Sequence, residues 1–276
     1  MTTTPSYDPS EFRAFEHDGW ERAAAGYGDA LGAVTAESIP MLLQAVGAGQ
    51  GTRLLDVAAG PGFLTQAAVQ LGAKALGLDF SESMVQEASR RFPSATFRQG
   101  DAERLPSADG EWDAVVCAFG ILHFANPDGA IAEAHRVLRP GGAYAFSAWL
   151  PVKEESFFGL IANAVKRHGD TTVPVPPGPP MFRFGEPGEC ERVLRATGFE
   201  QVAIRKHAAV ARLTHPEQLL DWITRGTVRT KEVLRLQTPE NRARIERAIV
   251  EAATGFGKNG RIEIPAPFLV AAGRKP

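Results

Sequence analysis

Short apolar runs alternate with amphipathic stretches along most of this chain. Leu54-Leu55-Asp56-Val57-Ala58, Ala75-Leu76-Gly77-Leu78-Asp79 and Ala114-Val115-Val116-Cys117-Ala118 are nearly continuous in apolar character, each ends on small or acidic residues, and a helical period follows. Runs of this kind, bounded by turn residues, read as strands buried on both faces. The pattern predicts strands near 53–58, 74–79, 95–99, 113–118 and 142–149, and helices near 63–71, 82–91 and 127–138. Such alternation makes a parallel, doubly wound α/β sheet with right-handed crossovers. Pro140 cannot continue a helix, and Gly141-Gly142 permits the turn into the fifth strand.

The ends of the chain depart from that rhythm. Residues 1–9 read as a frayed tail. Glu11 to about Ala25 carries Phe12, Phe15 and Trp20 among charges, as an amphipathic helix does, and Gly26-Tyr27-Gly28 should interrupt it. A second helix is expected over 37–46, with Thr35 or Ser38 as cap and Gly47 as stop. Beyond 150 the pattern gives a helix over 155–168, a proline-rich loop over 171–180, an apolar loop at Met181-Phe182-Arg183-Phe184 and a helix over 188–196. A sixth strand then falls over 201–207, helices lie within 215–255, and a seventh strand covers 263–272. Three regions result: a helical arm over 1–48, a Rossmann-like core over 49–150, and the rest of the core with helical lid insertions over 151–276.

Composition narrows the function. In 276 residues, 44% are apolar, enough for a full core, and a net charge of −2 with interspersed signs gives no nucleic-acid surface. The two cysteines, Cys117 and Cys190, have no metal-ligand spacing and read as reduced thiols. No run is long enough to span a bilayer and no signal pattern opens the chain, so a cytoplasmic protein without a membrane partner is expected.

The chemistry sits at the turn after the first strand. A strand ending in Asp56-Val57-Ala58-Ala59-Gly60-Pro61-Gly62 lets a ligand approach the backbone, and the next helix offers free N–H groups and a positive dipole end. A dinucleotide fingerprint would need G-x-G-x-x-G/A, and Thr65 stands where its last glycine would fall. No Gly-Lys-Ser/Thr follows, which excludes a P-loop. The order Asp56-x-Ala58-x-Gly60-x-Gly62 resembles motif I of the class I S-adenosylmethionine (SAM) dependent methyltransferases, D/E-x-G/A-x-G-x-G.

Three further segments carry the resemblance. Asp79, about twenty residues past the turn, stands where an acid accepts both ribose hydroxyls, and Phe80 and Met84 follow as apolar cover for the adenine. Gly100-Asp101-Ala102-Glu103-x-Leu105-Pro106 resembles the family's G-D-A-x-x-L-P segment, which gives Asp101 the adenine amino group and the Ala102 N–H a ring nitrogen. At the end of the fourth strand, Ala118 and Phe119 should border the methionine half, and His123 should face the substrate. Arg136-Val137-Leu138-Arg139-Pro140-Gly141-Gly142 matches the family's R-V-L-x-P-G-G. The resemblance is strong over about 50–150 and weak over the final strands, and is closest to the type 11, ubiquinone/menaquinone-biosynthesis-like enzymes of small-molecule metabolism, among them natural-product biosynthesis.

That resemblance implies a seven-stranded, mostly parallel Rossmann-like sheet with an antiparallel last strand. It implies SAM as cofactor, S-adenosylhomocysteine (SAH) as product and no metal. It also implies a transferase that methylates a small, mostly hydrophobic acceptor at O, N or C by in-line displacement; a hydroxyl or acidic carbon acceptor needs a base, for which His123 is the best-placed residue, and His123 equally reads as a loop histidine bonded to backbone. Tyr27 and Trp20 of the arm are candidates for the methionyl end; Tyr27 equally suits packing of the arm, and Trp20 suits packing better. Trp149, Phe157, Phe158, Met181, Phe182, Phe184 and Trp222 suggest an apolar acceptor pocket under a lid. Arg225, Arg229, Lys231 and Arg235 suit either an anionic substrate or a solvated helix face. A homodimer stays open. Two other functions remain: a SAM-fold enzyme with a non-methylating reaction such as cyclisation, and a non-catalytic SAM-binding partner subunit.

Overall fold

The computed structural model describes residues 7–258 and 260–276. Ten strands run β1 (Arg53–Val57), β2 (Lys74–Asp79), β3 (Thr96–Gln99), β4 (Trp112–Ala118), β5 (Leu138–Trp149), β6 (Glu200–His207), β7 (Val210–Leu213), β8 (Gly257–Lys258), β9 (Arg261–Pro265) and β10 (Phe268–Arg274). Helices are α1 (Pro9–Ala30), α2 (Gly32–Thr35), α3 (Ile39–Val46), α4 (Phe63–Gln70), α5 (Glu82–Arg91), α6 (Pro127–Val137), α7 (Phe157–His168), α8 (Pro187–Ala196), α9 (Gln218–Gly226), α10 (Arg229–Arg235) and α11 (Pro239–Thr254). Seven strands form one sheet in the order β3-β2-β1-β4-β5-β10-β6. β1 to β5 pair in parallel, and β10 is antiparallel to both β5 and β6.

Strand periodicity sorts the core. Leu54, Ala114 and Val116 point to the face covered by Leu42, Leu43 and Val46 of α3 and by Leu64 and Ala68 of α4. Their neighbours Leu55, Val115 and Cys117 point to the other face, against Ile131 and Val137 of α6 and Val193 and Leu194 of α8. Because both faces are covered, these strands are apolar throughout, and polar residues gather at their carboxyl ends. Cys117 and Cys190 are free, and burial pushes both thiols up to about 12. No helix among the described residues is long and apolar enough to cross a membrane.

Four elements differ from their sequence expectation. Helix α1 runs unbroken through Gly26-Tyr27-Gly28, because tertiary contacts override the low helix propensity of glycine. A Cβ at Gly26 would meet Arg225 Nε at 3.1 Å and one at Gly28 would meet Arg91 Nη2 at 3.1 Å, so the glycines admit two arginine side chains. The expected frayed tail falls partly on residues 1–6, outside the described residues. Its remainder is ordered, since Asp8 caps α1 by accepting from the Ser10 N–H at 2.8 Å, and the Tyr7 hydroxyl donates to the Ala125 carbonyl at 2.7 Å.

The expected seventh strand over 263–272 divides in two. β9 pairs with β7 and β8 in a separate three-stranded antiparallel sheet, and β10 alone closes the main sheet. Pro265 and Pro267 supply no N–H to a ladder, so pairing changes sheet between them. The fifth strand, in turn, begins at Leu138 rather than 142, with a register shift opposite Trp112–Ala114. The small sheet and α7, α9, α10 and α11 form a cap, and α1 lies against α5 and α9.

Candidate functional site

A cavity opens at the carboxyl ends of β1, β2 and β4, beneath α1. Its wall includes Tyr27, Asp56, Ala58, Gly60, Asp79, Phe80, Met84, Asp101, Ala102, Ala118, Phe119 and His123, so segments far apart in sequence meet there. Gly62 is not part of the wall. It starts α4 at φ +86°, and a Cβ there would meet the Phe97 ring at 2.6 Å, so its role is to let α4 approach β3 and α5.

Three carboxylates stand at or just past the carboxyl ends of three neighbouring strands, β1, β2 and β3. Asp79, almost fully buried, accepts from the Gly60 N–H at 2.8 Å through Oδ2 and from the Ser81 N–H at 3.0 Å through Oδ1. Each oxygen keeps a lone-pair direction for a further donor. Burial outweighs those two donors and raises its pKa to about 6. Asp56 is 1% exposed; its Oδ2 accepts from the Thr65 hydroxyl at 2.6 Å, its Oδ1 has no partner, and burial raises it to about 7. Thr65, which the glycine count marked only as a missing glycine, thus fixes the first acid of the motif. Asp101 accepts from the Glu103 N–H at 2.9 Å and is ion-paired with Arg13 of α1, which also reaches Glu103 at 3.2 Å.

Backbone strain marks two wall positions. Ala58 and Phe119 adopt φ +56° and +57°, each costing about 1–2 kcal/mol for a residue with a Cβ. Both end a strand where the chain must turn sharply along the cavity. The Phe119 N–H is held by the Ser147 hydroxyl at 3.1 Å, and its ring stacks on Trp149 at 4.1 Å. Gly120 completes the turn, since a Cβ there would lie 2.5 Å from that of Ala58.

His123 marks the passage to a second, smaller chamber. That chamber shares Trp20, Tyr27, Thr35, Phe119 and His123 with the first and is walled by apolar side chains, among them Leu31, Leu122, Trp149, Phe158 and Met181. Of the apolar side chains expected to form an acceptor pocket, Trp149, Phe158 and Met181 line it. Phe182 meets Phe158 edge-on, while Phe157, Phe184 and Trp222 are buried in packing. In the arginine group, Arg225 pairs with Asp221 and Asp29, and Arg235 pairs with Glu232, as solvated helix charges do. Arg229 faces the chamber; its Nη1 donates to the Pro176 carbonyl at 2.8 Å.

Sequence reasoning missed Glu16. It is fully buried on α1, and its Oε2 lies 2.9 Å from His123 Nδ1 and accepts the Trp20 indole N–H at 3.0 Å, while Oε1 has no partner. A charged residue in an amphipathic helix reads as solvent-facing, and nothing local marks this one as turned inward. Among the described residues, no group of three His, Cys, Asp or Glu is placed to hold a metal ion.

A family model described as a methyltransferase domain matches residues 55–146. The demethylmenaquinone methyltransferase of Renibacterium salmoninarum is 43% identical over 102 residues, 37% of this chain and 43% of that protein. The chain therefore spans less than half of that relative. The demethylmenaquinone methyltransferase of Deinococcus radiodurans is 32% identical over 200 residues, 66% of this chain and 74% of that protein. Among solved structures, phosphoethanolamine N-methyltransferase 2 of Haemonchus contortus, in complex with phosphomonomethylethanolamine and SAH, superimposes with a TM-score of 0.58 at 18% identity. The superposition covers 98% of this chain and 61% of that one, and is a likeness of fold.

Proposed function

The chain belongs to the methyltransferase-domain family, and from that premise we propose that it methylates a small, mostly hydrophobic molecule at the expense of SAM. The observation that carries this reading is the meeting of Asp56, Asp79 and Asp101 on one cavity wall, with the buried Asp56 Oδ1 left without a partner. An orphaned carboxylate oxygen is costly unless a ligand donor reaches it. The α-ammonium of SAM is such a donor, so the residues present fit the cofactor.

In this reading Asp79 takes the ribose hydroxyls on its free lone pairs, and Asp101 with the Ala102 N–H takes the adenine, covered by Phe80 and Met84. Ala58, Gly60, Ala118 and Phe119 let the methionine end lie against backbone, and Tyr27 closes it from the arm. SAM, when bound, supplies a methyl group on a positive sulfur for in-line displacement. The chain's own part is chiefly alignment and exclusion of water: the arm covers the cavity, and the apolar chamber holds the acceptor on the far side of Phe119 and His123. His123 receives the proton of a hydroxyl or acidic carbon, since an imidazole is suited to proton transfer near neutral pH.

The test is incubation with methyl-labelled SAM and a panel of apolar phenols, quinols and amines, read by product mass. A gain of one methyl group on one class is expected. Conversion without a mass gain would assign a non-methylating reaction, and SAM binding with no conversion of any acceptor would favour a partner subunit.

A further inference from the structure

The 2.9 Å contact between Glu16 Oε2 and His123 Nδ1 can run in either of two directions. Either Glu16 Oε2 accepts from Nδ1–H, which leaves Nε2 of a neutral imidazole with a lone pair, or a hydrogen on Oε2 is donated to Nδ1, which leaves Nε2 carrying hydrogen. Only the first makes a base. Trp20 discriminates between them, because an indole N–H is a donor only and points its hydrogen at the same Oε2 from 3.0 Å. An oxygen that accepts from the indole is already opposed by positive partial charge where the second arrangement needs its own hydrogen.

We infer that Glu16 is a positioning residue that holds His123 in the Nδ1–H tautomer, so that Nε2 is the nitrogen offered to the acceptor. The inference rests on His123 being the base of the proposed reaction. The partners stand 107 residues apart, one on the covering helix and one after β4, so the oriented base exists only while α1 lies across the cavity. The covering of the cofactor site and the assembly of the base are then a single event. The edge-on contact of Trp20 with the imidazole, ring centroids 4.8 Å apart, holds the ring plane from the same helix.

The test reads the imidazole directly. The full-length protein, labelled with ¹⁵N-histidine and bound to SAH at neutral pH, is examined by long-range ¹H–¹⁵N correlation. A protonated Nδ1 and an unprotonated Nε2 on His123 are expected; the reverse assignment overturns the inference. In Glu16→Gln the amide nitrogen competes to donate to Nδ1, and the Nε2–H form should become a major species, with SAH affinity within about twofold of wild type. Once an acceptor is in hand, the same variant should lose about 10²-fold in kcat with KM for SAM little changed. Unchanged kcat in a folded Glu16→Gln protein overturns the positioning role. Unchanged turnover in His123→Ala overturns instead the base reading beneath it, whatever the tautomer.

Discussion

Along the carboxyl edge of the sheet, Asp56 and Asp79 are held by segments that follow or adjoin their own strands. Asp79 is pinned by the Gly60 and Ser81 amides and Asp56 by Thr65, nine residues on. Helix α1 covers the same cavity by another means, through side chains that reach distant segments. Arg13 meets Asp101 and Glu103, Glu16 meets His123, and Glu21 accepts from the Ser83 hydroxyl at 2.5 Å. Backbone-anchored residues are placed before any ligand arrives, whereas side-chain latches can open without disturbing the fold. The sheet edge therefore should govern affinity, and the helix should govern access and turnover.

Substitutions on the two sides should separate these quantities. The largest effect belongs to the sheet edge: Asp79→Ala removes two charge-assisted contacts and should weaken SAM by about 10²–10³-fold in calorimetry. Unchanged affinity in a folded variant would remove the ribose assignment. His123→Ala should do the opposite, slowing methyl transfer by about 10²-fold while SAM affinity stays within about twofold.

Acidity tests the sheet edge alone. Asp79 and Asp56 titrate at about 6 and about 7, above an unfolded carboxylate near about 4. Between those values the folded chain holds protons that the unfolded chain has released. Their contribution to stability is complete below about pH 4 and is lost as pH rises through 6 to 7. A ligand that requires ionised carboxylates then binds less well in acid. SAM affinity should fall by up to about tenfold per pH unit below 7, where Asp56 takes a proton, and by up to about a hundredfold per unit below 6, where Asp79 does so too, and its thermal stabilisation should be greater at pH 8 than at pH 5. The smallest effect belongs to the helix. Arg13→Ala cuts a half-exposed latch and should speed SAM release by about three- to tenfold, measured by stopped flow, with little loss of stability. Slower release would show that Arg13 competes with the adenine for Asp101.

The same contrast explains what the sequence disclosed. Asp56, Gly60, Asp79 and Asp101 lie in local strand–turn–helix patterns, whose spacing follows from the backbone, so their common wall was readable from the chain. Seven-strand topology followed from apolar runs separated by helical periods. The chamber and the Glu16–His123 contact depend on how α1 and the cap dock, and docking leaves no short-range signal. Phe157 and Trp222 show this well, since their apolar character gave burial correctly but not which cavity they miss. Gly26 and Gly28 show the converse, where a local helix-breaking signal yields to arginines packed on them.

One measurement bears most directly on the cofactor site: thermal unfolding of the wild-type protein with SAM, SAH, NAD or no ligand. At a hundredfold excess over Kd, a ligand of the folded state adds about 2.7 kcal/mol of stability. Selective stabilisation by SAM and SAH is expected. Stabilisation by NAD, or by none of the three, would contradict the assignment of this cavity to SAM.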